Sequence, residues 1–176
     1  MIRVGIVGST GYTGIGIVSL LQRHSEAEIV WVTSESYAGR KLSDVYPFLR
    51  GRTDLVCERL TIASQAKLVD LVFVAAPKGI AMKIVPQFLE RGVRVIDLGA
   101  DFRFRNPVEY KKWYGIRHTK PFWSKRAMYG LTELYRRRIS SARLVGNPGC
   151  YATASILALA PLASAHQIVG EPIIDA

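Results

Sequence analysis

Cysteine is scarce: Cys57 and Cys150 stand 93 positions apart in 176 residues, and neither has a Cys-x-x-Cys or Cys/His cluster beside it. That excludes a disulfide framework and a zinc site, so no metal is expected and any cysteine that matters acts alone. No apolar run reaches the roughly 18 residues a membrane-spanning helix needs, and Met1-Ile2-Arg3 leads into a glycine-punctuated segment rather than a signal-peptide pattern. The expectation is a soluble cytoplasmic protein with no membrane partner. The three histidines, His24, His118 and His166, are isolated from one another, which provides no ligand set and no evident base for Cys150. Acids are short in one place only. Residues 103–143 hold 12 Lys/Arg against Glu109 and Glu133, while the other 12 Lys/Arg are matched by 12 acids. The net +10 therefore belongs to one stretch, in which aromatics such as Tyr110, Trp113, Phe122 and Tyr129 are interleaved. Two readings remain open: a solvated connection whose aromatics pack onto a core, or a surface for an acidic partner or substrate. No RNP-like, zinc-finger or helix-turn-helix pattern is present, so no nucleic acid is expected.

At 49% apolar the chain can bury a real core. Ile2 to Val7 is a short β-branched run ending in Gly8, and Ser9–Gly14 reads as a turn into a helix over Ile15–Arg23. Glu28–Thr33, Asp70–Ala76 and Val93–Leu98 read as further buried strands, with a helix over Ile80–Arg91 that Gly92 stops. This alternation predicts an α/β fold, a Rossmann-type doubly wound parallel sheet. In the basic stretch we expect a helical turn or two near Pro107–Trp113 and irregular chain around Lys120–Lys125. Leu144–Val145 reads as a short strand and Asn147-Pro148-Gly149-Cys150 as a tight turn. Tyr151–Ala160 is apolar all round, which predicts a buried helix, and Gly170–Ala176 reads as the start of a strand. The expected division is a cofactor-binding domain over 1–147, then the start of an α+β catalytic domain over 148–176.

Gly8, Gly11 and Gly14 lie between a strand and a helix, where bare backbone can approach a pyrophosphate and unpaired N–H groups meet its charge. The spacing is Gly-x-x-Gly-x-x-Gly. After the second strand, Ser34, Ser36 and Arg40 suit a ribose 2′-phosphate, whereas Glu35 suits a free ribose diol. The residues themselves leave that choice open. Cys150 follows a forced turn and opens a helix, whose dipole favours a thiolate; a buried, inert thiol is the alternative. Cys57 reads as structural. Arg103, just past the strand ending at Leu98, is at the sheet's carboxyl edge, where it either clamps a phosphate or carboxylate or pairs with Asp101.

Four segments together carry a resemblance: Gly8-Ser9-Thr10-Gly11-Tyr12-Thr13-Gly14, Val95–Arg103, Tyr129-Gly130-Leu131-Thr132-Glu133-Leu134 and Gly146-Asn147-Pro148-Gly149-Cys150-Tyr151-Ala152-Thr153. The chain resembles the N-terminal portion of N-acetyl-gamma-glutamyl-phosphate reductases. Leu49–Thr53 is similar to the branch that reduces carrier-protein-linked substrates. The resemblance implies NADP-dependent reduction of an acyl phosphate to a semialdehyde in arginine or lysine biosynthesis. It implies that Cys150 is the nucleophile and that Thr10, Gly11, Tyr12 and Thr13 hold the pyrophosphate. Ser34, Glu35 and Ser36 then face the ribose, Pro77 belongs to the nicotinamide-side loop, and Arg103 with Asn147 meets the substrate. It further implies an acyl-phosphate substrate, in one branch presented on an acidic carrier protein, a homo-oligomer at full length, and little activity for this length alone. Where family members have Pro-His-Gly, this chain has Pro77-Lys78-Gly79. The alternatives are an enzyme similar to aspartate-semialdehyde dehydrogenase, whose block is Asn-x-Cys, and a cofactor-binding module without turnover.

Overall fold

The computed structural model describes residues 1–175, and Ala176 lies outside the described residues. Seven strands are present among them: β1 (Ile2–Val7), β2 (Ala27–Thr33), β3 (Cys57–Glu58), β4 (Leu71–Val74), β5 (Arg94–Asp97), β6 (Met128–Tyr129) and β7 (Leu144–Gly146). The helices are α1 (Tyr12–Leu21), α2 (Leu42–Val45), α3 (Ile62–Gln65), α4 (Ala81–Glu90), α5 (Pro107–Tyr114), α6 (Pro121–Arg126), α7 (Thr132–Ser141) and α8 (Cys150–Ser164). All strands join one sheet in the order β3-β2-β1-β4-β5-β7-β6, and every pairing is parallel.

Parallel pairing follows from the short apolar strands, which must be covered on both faces. Val72, Val74 and Val95 pack with Val85, Phe88 and Leu89 of α4 on one face. Val4, Ile6 and Val32 pack with Val18 of α1 and with Cys57 on the other, so Cys57 is a core residue. The strand order turns back between β1 and β4, and the loops leaving β1, β2 and β4 open a crevice at their carboxyl ends. Strand β7 sits between β5 and β6, pairing Asp97 with Gly146 and Gly146 with Tyr129. Residues leaving β7 therefore emerge beside the loop that leaves β5.

Three expectations are corrected. The segment around Lys120–Lys125 is helical, because Pro121 starts α6 with its fixed φ. Helix α8 is apolar but none of its residues is fully buried; Ile156, Leu157 and Leu159 are partly covered, and apolar composition alone supplies no neighbour for the rest. Residues 170–175 form no strand and pair with nothing in the sheet. Phe102, just before the basic stretch, and Tyr110 within it pack inward, whereas Trp113 and Phe122 stay exposed.

Candidate active site

The glycine turn has three glycines with two different reasons. Gly8 has φ +78°, and a Cβ there would lie 2.2 Å from the Ala75 carbonyl oxygen; at Gly14 a Cβ would lie 2.1 Å from the Gly8 carbonyl oxygen. Both are demanded by the protein's own packing. At Gly11 the nearest atom to an added Cβ is 3.6 Å away and the residue is exposed, so the protein's own packing does not demand glycine there. Helix α1 starts directly after Gly11 with no side-chain cap, which leaves first-turn N–H groups at Tyr12 and Thr13 open for an anion.

Side chains fix this turn against the loop after β2. The Tyr46 hydroxyl donates to the Thr10 carbonyl at 2.7 Å, and the Thr10 and Ser34 hydroxyls share a hydrogen bond of 2.7 Å. Ser9 Oγ donates to the Thr33 carbonyl. A cavity of about 390 Å³ opens across the ends of β1, β2 and β4, with Gly8, Ser34, Glu35 and Pro77 in its wall. Ser36 and Arg40 are exposed and outside that wall, and Arg40 lies over the Tyr37 ring at 5.7 Å from its centre.

A second cavity, of about 750 Å³, brings Thr13 together with Leu98, Arg103, Tyr114, Tyr129, Asn147 and Cys150. Cys150 is the first residue of α8 and is exposed, so the buried-thiol alternative does not hold. Arg103 does not pair with Asp101. Its Nε donates to the Asn147 carbonyl at 2.8 Å, Nη1 to the Tyr114 hydroxyl at 3.3 Å and Nη2 to the Leu98 carbonyl at 3.2 Å. A Cβ on Gly149 would come 3.2 Å from Nη1, so the guanidinium packs close against the turn that carries the cysteine. No carboxylate of the described residues forms an ion pair with it, and that suits an incoming anion.

Two buried aspartates hold the scaffold. Asp101 accepts from the Gly79 and Met82 amides and from the Tyr110 hydroxyl, which ties the Pro77-Lys78-Gly79 loop and the start of α4 to the loop bearing Arg103. Asp97 accepts from the Gly99 and Phe102 amides; burial, with the neighbouring Asp101 charge as a smaller cause, pushes its carboxyl up to about 7. Buried His118 sets its Nε2 2.7 Å from the Asp101 carbonyl and accepts from the Lys120 amide at Nδ1, so Nε2 carries the proton and burial lowers its pKa. Burial also pushes the Tyr129 phenol up, which keeps its proton in place. No His, Asp or Glu lines the Cys150 cavity among the described residues. No group of three or more metal-ligating side chains is assembled, and no helix is long and apolar enough to cross a membrane, among those residues.

Sequence reasoning did not single out Tyr114, Tyr129 or the Asp97–Asp101 pair. The aspartates left a signal, two acids in an otherwise apolar strand-loop, whereas the tyrosines are two of many in a basic stretch.

Residues 3–142 match the family model described as semialdehyde dehydrogenase, NAD binding domain. The chain is 51% identical over 162 residues to the N-acetyl-gamma-glutamyl-phosphate reductase of Moorella thermoacetica, covering 92% of this chain and 47% of that protein. It is 52% identical over 173 residues to that of Symbiobacterium thermophilum, covering 98% and 49%. The chain thus spans about half the length of these curated relatives. Among solved structures it resembles the aspartate semialdehyde dehydrogenase of Candida albicans with NADP, at a TM-score of 0.67 and 18% identity, over 96% of this chain and 48% of that one.

Proposed function

The chain belongs to the semialdehyde dehydrogenase family through its NAD-binding domain, and from that premise we propose that it is the cofactor- and nucleophile-bearing part of an NADPH-dependent acyl-phosphate reductase. The reaction is the one named for its relatives, reduction of N-acetyl-gamma-glutamyl phosphate to the semialdehyde in arginine biosynthesis. The observation that carries this reading is the shared cavity of Thr13, Arg103 and Cys150, in which a cofactor-loop residue, a guanidinium with no ion pair among the described residues and an exposed thiol converge. Residues 1–147 act as the cofactor domain, and residues from 148 onward begin the catalytic part.

The dinucleotide fits the crevice: Gly11, Tyr12 and Thr13 offer bare backbone and open N–H groups to a pyrophosphate, and Ser34 and Glu35 line the cavity beyond. When bound it supplies the hydride. The protein's own part begins with Arg103, which pairs with the phosphate while Asn147, held to Arg103 by its carbonyl, sets the substrate beside the thiol. The Cys150 thiolate attacks the acyl carbon, a C–S bond forms, the C–O bond to phosphate breaks and inorganic phosphate leaves with its electron pair. A thioester results, and after reduction the sulfur departs again as thiolate to free the aldehyde. The basic stretch over 103–143 draws the anionic substrate, or an acidic carrier bearing it, towards the cavity.

The test uses the 176-residue chain with acetyl phosphate and NADPH. The expected results are dinucleotide binding by fluorescence, a mass increase of one acetyl group on Cys150 that is absent in Cys150→Ser, and release of inorganic phosphate. Because no His, Asp or Glu of the described residues lines the cavity, aldehyde formation should be very slow. Absence of both the adduct and dinucleotide binding would refute the proposal.

A further inference from the structure

We propose that Tyr114 is a substrate-positioning residue, its hydroxyl donating a hydrogen bond to the same anionic group that Arg103 pairs with; this rests on the acyl-phosphate reading of the Cys150 cavity. An arginine has five N–H donors, and Arg103 commits three of them, to Asn147, Leu98 and Tyr114. Two remain, one on each terminal nitrogen. The Tyr114 hydroxyl accepts from Arg103 Nη1, and no other hydrogen bond to that hydroxyl exists among the described residues. Among those residues its proton therefore has no acceptor, and the residue lines the cavity that contains Cys150.

The hydroxyl is held in place from three sides. The Tyr114 ring packs against Tyr110 at 5.0 Å between centres and against Phe104 at 6.1 Å. Its carbonyl, at the end of α5, accepts from Lys78 Nζ at 3.1 Å, and Gly115 in the left-handed region ends the helix there. Tyr110 in turn is anchored on the Asp101 carboxylate at 2.7 Å. A donor fixed before the ligand arrives loses little entropy on binding, so it discriminates by geometry. Arg103 alone accepts any small anion. Arg103 with an O–H donor at its flank selects a group with at least two accepting oxygens, such as a phosphoryl, presented next to the thiol.

Inorganic phosphate is the probe, and alkylation of Cys150 by neutral iodoacetamide is the readout, because Cys57 is fully buried. Phosphate at constant ionic strength should slow alkylation of the wild type saturably. Tyr114→Phe keeps the ring and its packing, and its phosphate affinity, read as half-protection relative to the variant's own rate without phosphate, should fall about tenfold, the usual worth of one hydrogen bond to a charged group. A second measurement needs no variant: the Tyr114 ¹³Cζ resonance should shift with the same half-saturation as the protection. Unchanged affinity in Tyr114→Phe, or an unshifted resonance across a titration that protects Cys150, overturns the role of Tyr114 and leaves the cavity's anion site standing. Absence of protection in the wild type overturns both.

Discussion

Gly11 and Gly14 are three positions apart, yet an added methyl group does opposite things at the two. At Gly14 it meets backbone of Gly8 and Ser9, at 2.1 and 2.8 Å, that cannot yield, so Gly14→Ala should cost more than about 2 kcal/mol in chemical denaturation. Gly11→Ala has room, should cost about 1 kcal/mol or less, and should weaken dinucleotide binding in a fluorescence titration. Equal destabilisation by the two would contradict the division of labour in the turn. Asp97 offers a second check at this scale. Its carboxyl, pushed up to about 7 by burial, holds its proton in the folded chain over a range where the unfolded chain has lost it. The folded state thus binds the extra proton between roughly pH 4 and 7, and this group's contribution to stability declines as pH rises through that window. His118 has the opposite sign, since a histidine kept neutral by burial contributes stability above its unfolded value near 6.5 that is lost as pH falls. Carboxyl ¹³C spectra should show Asp97 titrating near 7, and a midpoint in the ordinary carboxylate range would refute the assignment.

Among the elements, those whose residues alternate between apolar burial and glycine punctuation were legible: β1, β2, β4, β5, α1 and α4 fall within a few residues of where periodicity puts them. Helix α7 left no such signal, because Arg136, Arg137 and Arg138 face solvent and no residue of the helix is buried. Strand β6 has two residues, too few for a pattern. For the candidate site, the glycine turn, Arg103 and Cys150 could be read from residue type and place, whereas Tyr114 required knowing that α5 packs beside the β5 loop. Helix α8 was readable as a helix, but the inference from apolar to buried failed, since hydrophobicity specifies what a surface prefers and not what is there to meet it. Its energetic role follows. Leu162→Ala on exposed α8 should change unfolding free energy by less than about 0.5 kcal/mol, while Phe88→Ala in the α4 core should cost about 3–5 kcal/mol. Comparable losses would mean that α8 is covered in solution. At α5, Asn106 accepts from the Val108 amide at 2.9 Å as the cap, so Asn106→Ala should cost about 1 kcal/mol in the same assay.

For the molecule as a whole, the charge of +10 is confined to residues 103–143, the stretch that also supplies Arg103, Phe104, Tyr114 and Tyr129 to the Cys150 cavity. Encounter with anions should therefore respond to salt. The rate at which the anionic reagent dithiobis(nitrobenzoate) modifies Cys150 should drop severalfold between about 20 and 300 mM salt, while neutral iodoacetamide is indifferent, because exposed charges are screened over about 10 Å at 0.1 M. Equal salt dependence of the two reagents would remove the argument for steering. The sheet order has a last consequence, for assembly. Strand β7 threads a slot whose walls, β5 and β6, both precede it in the chain, and the cysteine turn hangs from its end. Until the whole excursion from β5 through α5, α6 and β6 has folded back, no slot exists, and the thiol has neither its guanidinium neighbour nor its place opposite the glycine turn. Reactivity is thereby made contingent on the completed topology, so a half-folded chain carries an unguided sulfur and only the finished sheet aims it.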